Sequence, residues 1–414
     1  MAGLTPLQEA LDLILADTEA CAGDRAETEE CSLSEALGRV LAETIHAAIA
    51  VPYDDNSAMD GYALRAADSG KTLPVSQRIA AGQAGSALAA GTAARIFTGA
   101  PVPAGADAVV MQENCELEGE LLRLLKPVSP GENIRCQGQD IALGSEVMAA
   151  GRRLQAEDLG VLASIGLARV KVRRKLVVAI LSTGDELVEP DGDTGGHPGG
   201  EPQLQSGQIY NSNRYTLQGL LIGLGYEVRD FGLVPDDAAA TGTVLAEAAS
   251  LADCVISTGG VSVGEEDHVK DQVEQLGTLK LWKLQIKPGK PLAYGRIGNA
   301  GFFGLPGNPA AVFVTFSLLV RPWLQRRQGA TDNAPLMLAA TADFSLERAG
   351  SRLEFMRARA SMKQGRLCAE LHPNQSSGVL SSVSWANALA VIPPGTIVAP
   401  GDMIEVMLLD QLIR

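Results

Sequence analysis

The sequence has little of what builds metal and redox centres. Four histidines are spread over 414 residues, and six cysteines (Cys21, Cys31, Cys115, Cys136, Cys254, Cys368) never come within a C-x-x-C spacing. Zinc sites need clustered Cys and His ligands, so none is expected. Six reduced thiols in a cytoplasmic protein are expected instead, because disulfides belong to oxidising compartments. Long apolar runs are also missing. The longest, "AAVFVTFSLLV", covers 11 residues, where a membrane helix needs about 20. The opening "MAGLTPLQEALDLIL" is acidic and reads as no secretory signal. Positive charge is scarce: 34 Lys and Arg against 49 Asp and Glu leave a net −15. That balance argues against nucleic-acid or membrane-surface binding. It leaves room for a small anion held by a few local lysines. A Ser/His/Asp hydrolase reading is weak, because His268 follows Glu265, Glu266 and Asp267 on an expected first helical turn and reads as a surface histidine.

Glycine is what the chain has in excess. Average usage would give about 29, and there are 45, which points to tight turns and close backbone approaches to a ligand. A chain of this length divides into several domains. In "TPLQEALDLILAD", Thr5 is expected to cap a helix, with Pro6 at its first position and Gln8 completing a capping box. A second box, Ser32 to Glu35, is expected to open a helix through "SEALGRVLAETI". From Val51 to about Asp140, short apolar segments broken by Gly and Pro predict a β-rich unit inserted into a helical one, whose character returns at "QAEDLGVLASIG". Beyond Lys175, strands alternate with helices, which predicts an open, mainly parallel α/β sheet. Period-two alternation after Gly329 predicts a small β domain. The expected units are 1–46 with 141–174, 47–140, 175–330 and 331–414.

Ligands of open α/β sheets bind at the carboxyl ends of strands. Three loops there carry polar residues: "STGDE" (Ser182, Thr183, Gly184, Glu186), "STGGVSVGEED" (Gly259, Gly260, Gly264, Asp267) and "LPGNP" (Pro306, Asn308). Gly259 and Gly264 have Walker spacing, but Glu265 and Glu266 stand where Lys and Ser or Thr belong. An acidic loop facing phosphate calls for a hard cation, and Mg²⁺ suits one or two carboxylates plus phosphate oxygens. Alternatively these glycines only close a turn whose acids cap a helix. Lys283 and Lys287 would share one face of a strand, with Lys290 past a Pro-Gly turn, as a phosphate clamp. Lysines protecting a sheet edge are the other reading.

"VPYDDNSAMDGYALR", "RIFTGAPVPAGADAVVMQE", "LSTGDELVEPDG", "GQIYNSN", "VISTGGVSVGEEDHVK", "KPGKPLAYG" and "GLPGNPAAVFVTF" resemble, in order and over nearly the whole chain, the molybdopterin molybdenumtransferase family (MoeA, related to the gephyrin E domain). The resemblance implies a linear domain split around an inserted β domain, a molybdopterin-binding α/β domain and a C-terminal β domain. It implies a homodimer that inserts molybdate into adenylylated molybdopterin and releases AMP with Mg²⁺. Transient contact with the molybdopterin adenylyltransferase and with molybdoenzyme-maturation proteins would follow. In this reading Asp60, Glu186, Asp267, Lys283 and Lys287 are catalytic, and Glu186 and Asp267 hold the metal. Asp60, with Thr98, Arg135 and Asp140 beside it, would reach the partner's cleft, where Cys136 stands at an often basic position. Asp236, Arg357 and Ser377 complete the implied substrate contacts. A non-enzymatic pterin-binding scaffold and a tungstate-handling paralogue are the alternatives.

Overall fold

The structure is a computed structural model that describes residues 4–18, 27–190, 204–260, 268–331 and 334–413. The first helix, α1 (Leu7–Asp17), packs its Ala10 and Ile14 into the core of the α/β domain. Thr5 does not cap it. Its N–H donates to the Lys283 carbonyl at 3.2 Å and its own carbonyl accepts from Gln285 N–H at 2.8 Å, so Pro6 takes the cap position. At the far end, Asp17 accepts from the Tyr294 hydroxyl at 2.8 Å and pairs with Lys280. The helix is bolted to the sheet at both ends.

The Ser32–Glu35 box does form, but it caps only the single turn Leu33–Glu35. Gly38 has φ +74°, and the following residues turn to pair across the domain instead of continuing a helix. Val40, Leu41 and Ile45 find partners in Arg153, Val172 and Met148. Thr28–Ser32 runs antiparallel to Arg169–Arg173, which joins the two halves of the linear region. Its helix α2 (Ala156–Ser164) packs on this core. Tertiary pairing overrode the helix expected after the cap.

Residues 52–140 form a separate β body with a six-stranded sheet and two apolar clusters of its own. The chain enters and leaves side by side: Val51 and Ile141 exchange backbone hydrogen bonds at 2.8 and 3.0 Å.

The α/β domain contains strands β1 (Val177–Thr183), β2 (Glu227–Val234), β3 (Cys254–Thr258), β4 (Gly277–Lys283), β5 (Pro291–Ile297) and β6 (Ala300–Leu305) in the order β2-β1-β3-β6-β5-β4. The first four run parallel, β5 runs against them, and β4 pairs antiparallel with β5. Helices α3 (Ser212–Gly223), α4 (Ala238–Leu251) and α5 (His268–Leu276) cross over between strands. Asn211 and Asp237 cap α3 and α4 by accepting from Arg214 N–H and Ala240 N–H. The sixth helix, α6 (Pro309–Thr315), runs on through a π-helical turn, Phe316–Val320, into α7 (Arg321–Arg327). Pro322 lacks the N–H an α-helical ladder would use there. One apolar cluster joins α1, the α/β sheet and the C-terminal β domain, from Ile14 through Phe303 and Trp323 to Phe355 and Leu389.

The lysine strand breaks where continuity was expected. β4 ends at Lys283, Leu284 pairs with Thr5, and Ile286–Lys287 pairs with Leu353 and Glu354 of the C-terminal domain. Lys283 and Lys287 therefore do not share a face of one strand.

Candidate active site

β1, β3 and β6 end on the same edge of the sheet, and each end is shaped by residues with little or no side chain. Gly184, at φ +139°, lets the Glu186 carboxylate fold back, since a Cβ there would meet Glu186 Oε2 at 2.6 Å. Gly259 and Gly260 follow β3 with φ +85° and +62°. A Cβ on Gly259 would stand 2.4 Å from the Thr183 carbonyl oxygen, so the two strand ends approach as only glycine allows. After β6, Pro306-Gly307-Asn308 leads into α6, where Asn308 O accepts from Ala311 and Val312 N–H. Thr183, Glu186, Gly259, Gly260, Pro306 and Asn308 line one cavity of about 600 Å³.

That cavity is short of hydrogen-bond partners. Thr183 is 4% exposed, and its hydroxyl has none. Asn213 Oδ1, also at the cavity, is buried in the same condition. Native interiors satisfy nearly all such groups, so the unmet hydroxyl at the cavity wall is a place prepared for a ligand atom. The Glu186 side chain is exposed at the rim, with no hydrogen bond or ion pair among the described residues. Lys283, half-buried, and Lys290, exposed, have no side-chain partner among the described residues; neither lines the cavity, although Pro291, next to Lys290, does.

Other expected residues lie elsewhere. Lys287 reaches Glu354 at 3.1 Å and so ties the α/β domain to the C-terminal one. Arg357 is 1% exposed; its Nε donates to Ser382 Oγ and its Nη2 to the Ser376 carbonyl, both at 3.0 Å. Burial without a carboxylate lowers its pKa. Arg357 thus anchors the loop rather than opening into the cavity. Ser377 accepts from Ala310 N–H at 3.0 Å, which sets the neighbouring Gly378 and Leu380 against the cavity. Asp236 is half-buried beside the α4 cap. Gly264 and Asp267 lie outside the described residues.

Asp60 and its neighbours form a second centre, on the inserted body. The Asp60 carboxylate accepts from Thr98 N–H at 2.7 Å and from the Thr98 hydroxyl at 2.8 Å. These bonds, the backbone one foremost, hold its pKa below the usual carboxylate value. Arg135 and Asp140 are exposed on the same body. Among the described residues, no hydrogen bond or ion pair joins residues 52–137 to any residue beyond 175.

Of the cavity's glycine and hydroxyl residues, Thr183, Gly259 and Gly260 were readable in the sequence. Tyr210, Asn211, Asn213, Gly307 and Gly378 also line it and were not singled out. Tyr210, Asn211 and Asn213 stand in "GQIYNSN", Gly307 in "LPGNP" and Gly378 in "NQSSG", segments whose meeting at one cavity only the fold shows. Among the described residues, no three His, Cys, Asp or Glu side chains cluster as a metal cage.

Comparison with known proteins decides the family. The description "MoeA N-terminal region (domain I and II)" matches residues 5–166, "Probable molybdopterin binding domain" residues 179–326, and "MoeA C-terminal region (domain IV)" residues 339–409. The chain belongs to the MoeA family. The molybdopterin molybdenumtransferase of Haemophilus influenzae is 42% identical over 88% of this chain and 90% of its own. That of a Nostoc species is 37% identical over 92% and 88%. The crystal structure of a molybdopterin biosynthesis moeA protein from Pyrococcus horikoshii superposes with a TM-score of 0.83 at 31% identity, covering 98% of this chain and all of that one. The multidomain α/β and β architecture is the MoeA architecture.

Proposed function

We propose that this chain is a molybdopterin molybdenumtransferase that takes adenylylated molybdopterin and molybdate and releases AMP. The observation that carries the reading is the cavity at the ends of β1, β3 and β6, with glycine-lined walls and an unsatisfied Thr183 hydroxyl. The Gly259 N–H already donates to the Leu305 carbonyl at 3.3 Å, which leaves the Gly260 N–H to approach phosphate closely. Lys283 and Lys290 supply the positive charge that an acidic chain must concentrate locally for two anionic substrates. Cleaving the pyrophosphate bond asks for positioning and charge neutralisation rather than a protein nucleophile.

Magnesium fits in the mode that uses one or two carboxylates and completes its shell with substrate oxygens and water. Glu186, at the rim and without a side-chain partner among the described residues, would hold it, with Asp267 as the proposed second ligand. Bound there, Mg²⁺ would offset phosphate charge. We further propose that the working unit is a homodimer in which Asp60 and Thr98 of one subunit face the cavity of the other. The free thiols of Cys31, Cys115, Cys136, Cys254 and Cys368 support a reducing, cytoplasmic setting. Transient hand-over contacts with the adenylyltransferase and with molybdoenzyme-maturation proteins belong to this reading.

The deciding assay incubates the purified chain with adenylylated molybdopterin, Mg²⁺ and molybdate and follows AMP. Release that depends on all three supports the reading. Binding of the pterin without AMP release would favour the scaffold alternative. Faster release with tungstate than with molybdate would favour the tungstate paralogue.

A further inference from the structure

Behind the cavity wall, a chain of buried polar groups crosses three elements. Thr258 Oγ1 at the end of β3 donates to Ser182 Oγ at the end of β1, at 3.0 Å. Ser182 passes its own proton to Asn211 Oδ1 at 3.4 Å, and the same oxygen accepts from Arg214 N–H at 3.3 Å. Asn211 Nδ2 then donates to Glu189 Oε1 at 2.8 Å. Glu189 is held in turn by Arg214 Nη1 at 2.9 Å, and Arg214 Nε reaches Asp230 at 2.7 Å. Ser182, Thr258 and Asn211 are at most 2% exposed.

The amide is the one group that gives this chain a direction. A carboxamide offers an acceptor on one side and a donor on the other. Only the orientation with Nδ2 toward Glu189 avoids setting an oxygen against a carboxylate. Oδ1 must then face Ser182, which fixes the proton order Thr258 to Ser182 to Asn211. With its proton spent, Thr258 can offer a ligand only lone pairs, whereas Thr183, beside it and unpartnered, still has a proton to give. Backbone bonds carry the same register outward, since Asn211 N–H donates to Val188 O and Ile209 N–H to Glu186 O, both at 2.9 Å.

We propose that Asn211, paired with Glu189, is a positioning residue that sets the hydrogen-bond polarity of this wall: an acceptor at Thr258, a donor at Thr183, and Glu186 held at the rim. The complementary ligand edge has an N–H donor facing Thr258 and an oxygen acceptor facing Thr183. Such an edge is that of an amino-substituted, oxo-bearing heterocycle rather than of a phosphate, whose oxygens only accept at neutral pH. The inference rests on the proposed function, because a pterin is the substrate component with that edge.

The test is a paired exchange. Asn211→Asp alone sets two carboxylates against each other and removes the donor. Adding Glu189→Gln restores one amide and one carboxylate with the roles swapped, and keeps an acceptor toward Ser182. Pterin fluorescence titration and AMP-release kinetics are run on the wild type, N211D, E189Q and the double variant, with a thermal melt of each. The expected result is a rise on the order of tenfold in both Kd and KM for N211D, with kcat within about threefold, as for other groups that orient a binding residue. The double variant should return to within about threefold of wild type. Wild-type Kd in N211D, or a double variant no tighter than N211D, overturns the inference. Should N211D melt below the assay temperature, Ser182→Ala breaks the relay and leaves the Asn211–Glu189 pair intact. Unchanged pterin Kd in S182A then overturns it. A wild-type chain that neither binds the pterin nor releases AMP instead refutes the proposed function itself.

Discussion

Gly259→Ala tests whether the cavity depends on the close approach of two strand ends. The residue has φ +85°, where any other L-residue carries a cost of about 1–2 kcal/mol. Its new Cβ would also stand 2.4 Å from the Thr183 carbonyl oxygen. That neighbour is backbone, and it cannot retreat freely because Thr183 is in register with Val234 and Ser182 with Thr258. The loop after β3 must therefore move away from the cavity. Strain and clash together come to about 2–4 kcal/mol. Restoring the ligand-binding position against that strain weakens substrate binding by roughly 30-fold to 1,000-fold. Gly298→Ala is the control. Gly298, in the β5–β6 turn, has φ +58° but nothing within 4 Å of an added Cβ. It should show the backbone cost alone, as a Tm lower by a few degrees, with KM unchanged. Both variants are assayed by AMP release across substrate concentration and by thermal unfolding. Wild-type KM in G259A, or an equal rise in G298A, would refute the reasoning.

Three further outcomes are expected. Glu186→Gln removes the charge a hard cation prefers, so the Mg²⁺ concentration for half-maximal AMP release should rise at least about tenfold, and an unchanged Mg²⁺ titration would remove Glu186 as a ligand. Mixing Asp60→Ala chains with Glu186→Ala chains should regain activity if the two residues meet across a dimer, with one intact site per mixed dimer; purified mixed dimers without activity would place both residues in one site. Asp60 has a folded-state pKa below its unfolded value, so its bonds to Thr98 contribute above the unfolded pKa and are lost as pH falls through the folded one. Thr98→Val should raise that pKa only part of the way, because the Thr98 N–H, the larger cause, remains; carboxyl NMR titration reads the shift, and an unmoved value would show that the hydroxyl does nothing.

The α/β domain was legible because its signals are local. Asn211 and Asp237 cap helices as their position before an apolar run suggests, and Gly225 closes the α3 end with φ +82°. The cavity's glycines were legible for the same reason, as consecutive glycines after a buried strand have few other uses. Thr5 misled, and so did the helix expected to run on past the Ser32 cap, because the competing partner is distant. Leu284 claims the Thr5 backbone, and strands from the other half of the linear region claim the residues after Ser32. Lys287 misled for a similar reason. Strand periodicity says which residues share a face only while one strand continues, and here Ile286 and Lys287 leave to join another sheet. Asn211 shows the limit most clearly. Its capping bond is visible in sequence, but Ser182, 29 positions away, and Glu189, 22 away, meet it only once the sheet has formed.

The exchange of backbone bonds between Val51 and Ile141 has a consequence for how the protein can be altered. A segment whose two ends lie a hydrogen bond apart behaves like a cartridge. It can be lifted out and replaced by a short turn without stretching the remaining chain, because closing that small gap costs little entropy. Its own apolar clusters travel with it. The half that forms the cavity and the half that carries Asp60 can therefore diverge, be swapped between relatives or be circularly permuted at this seam, each keeping its own core.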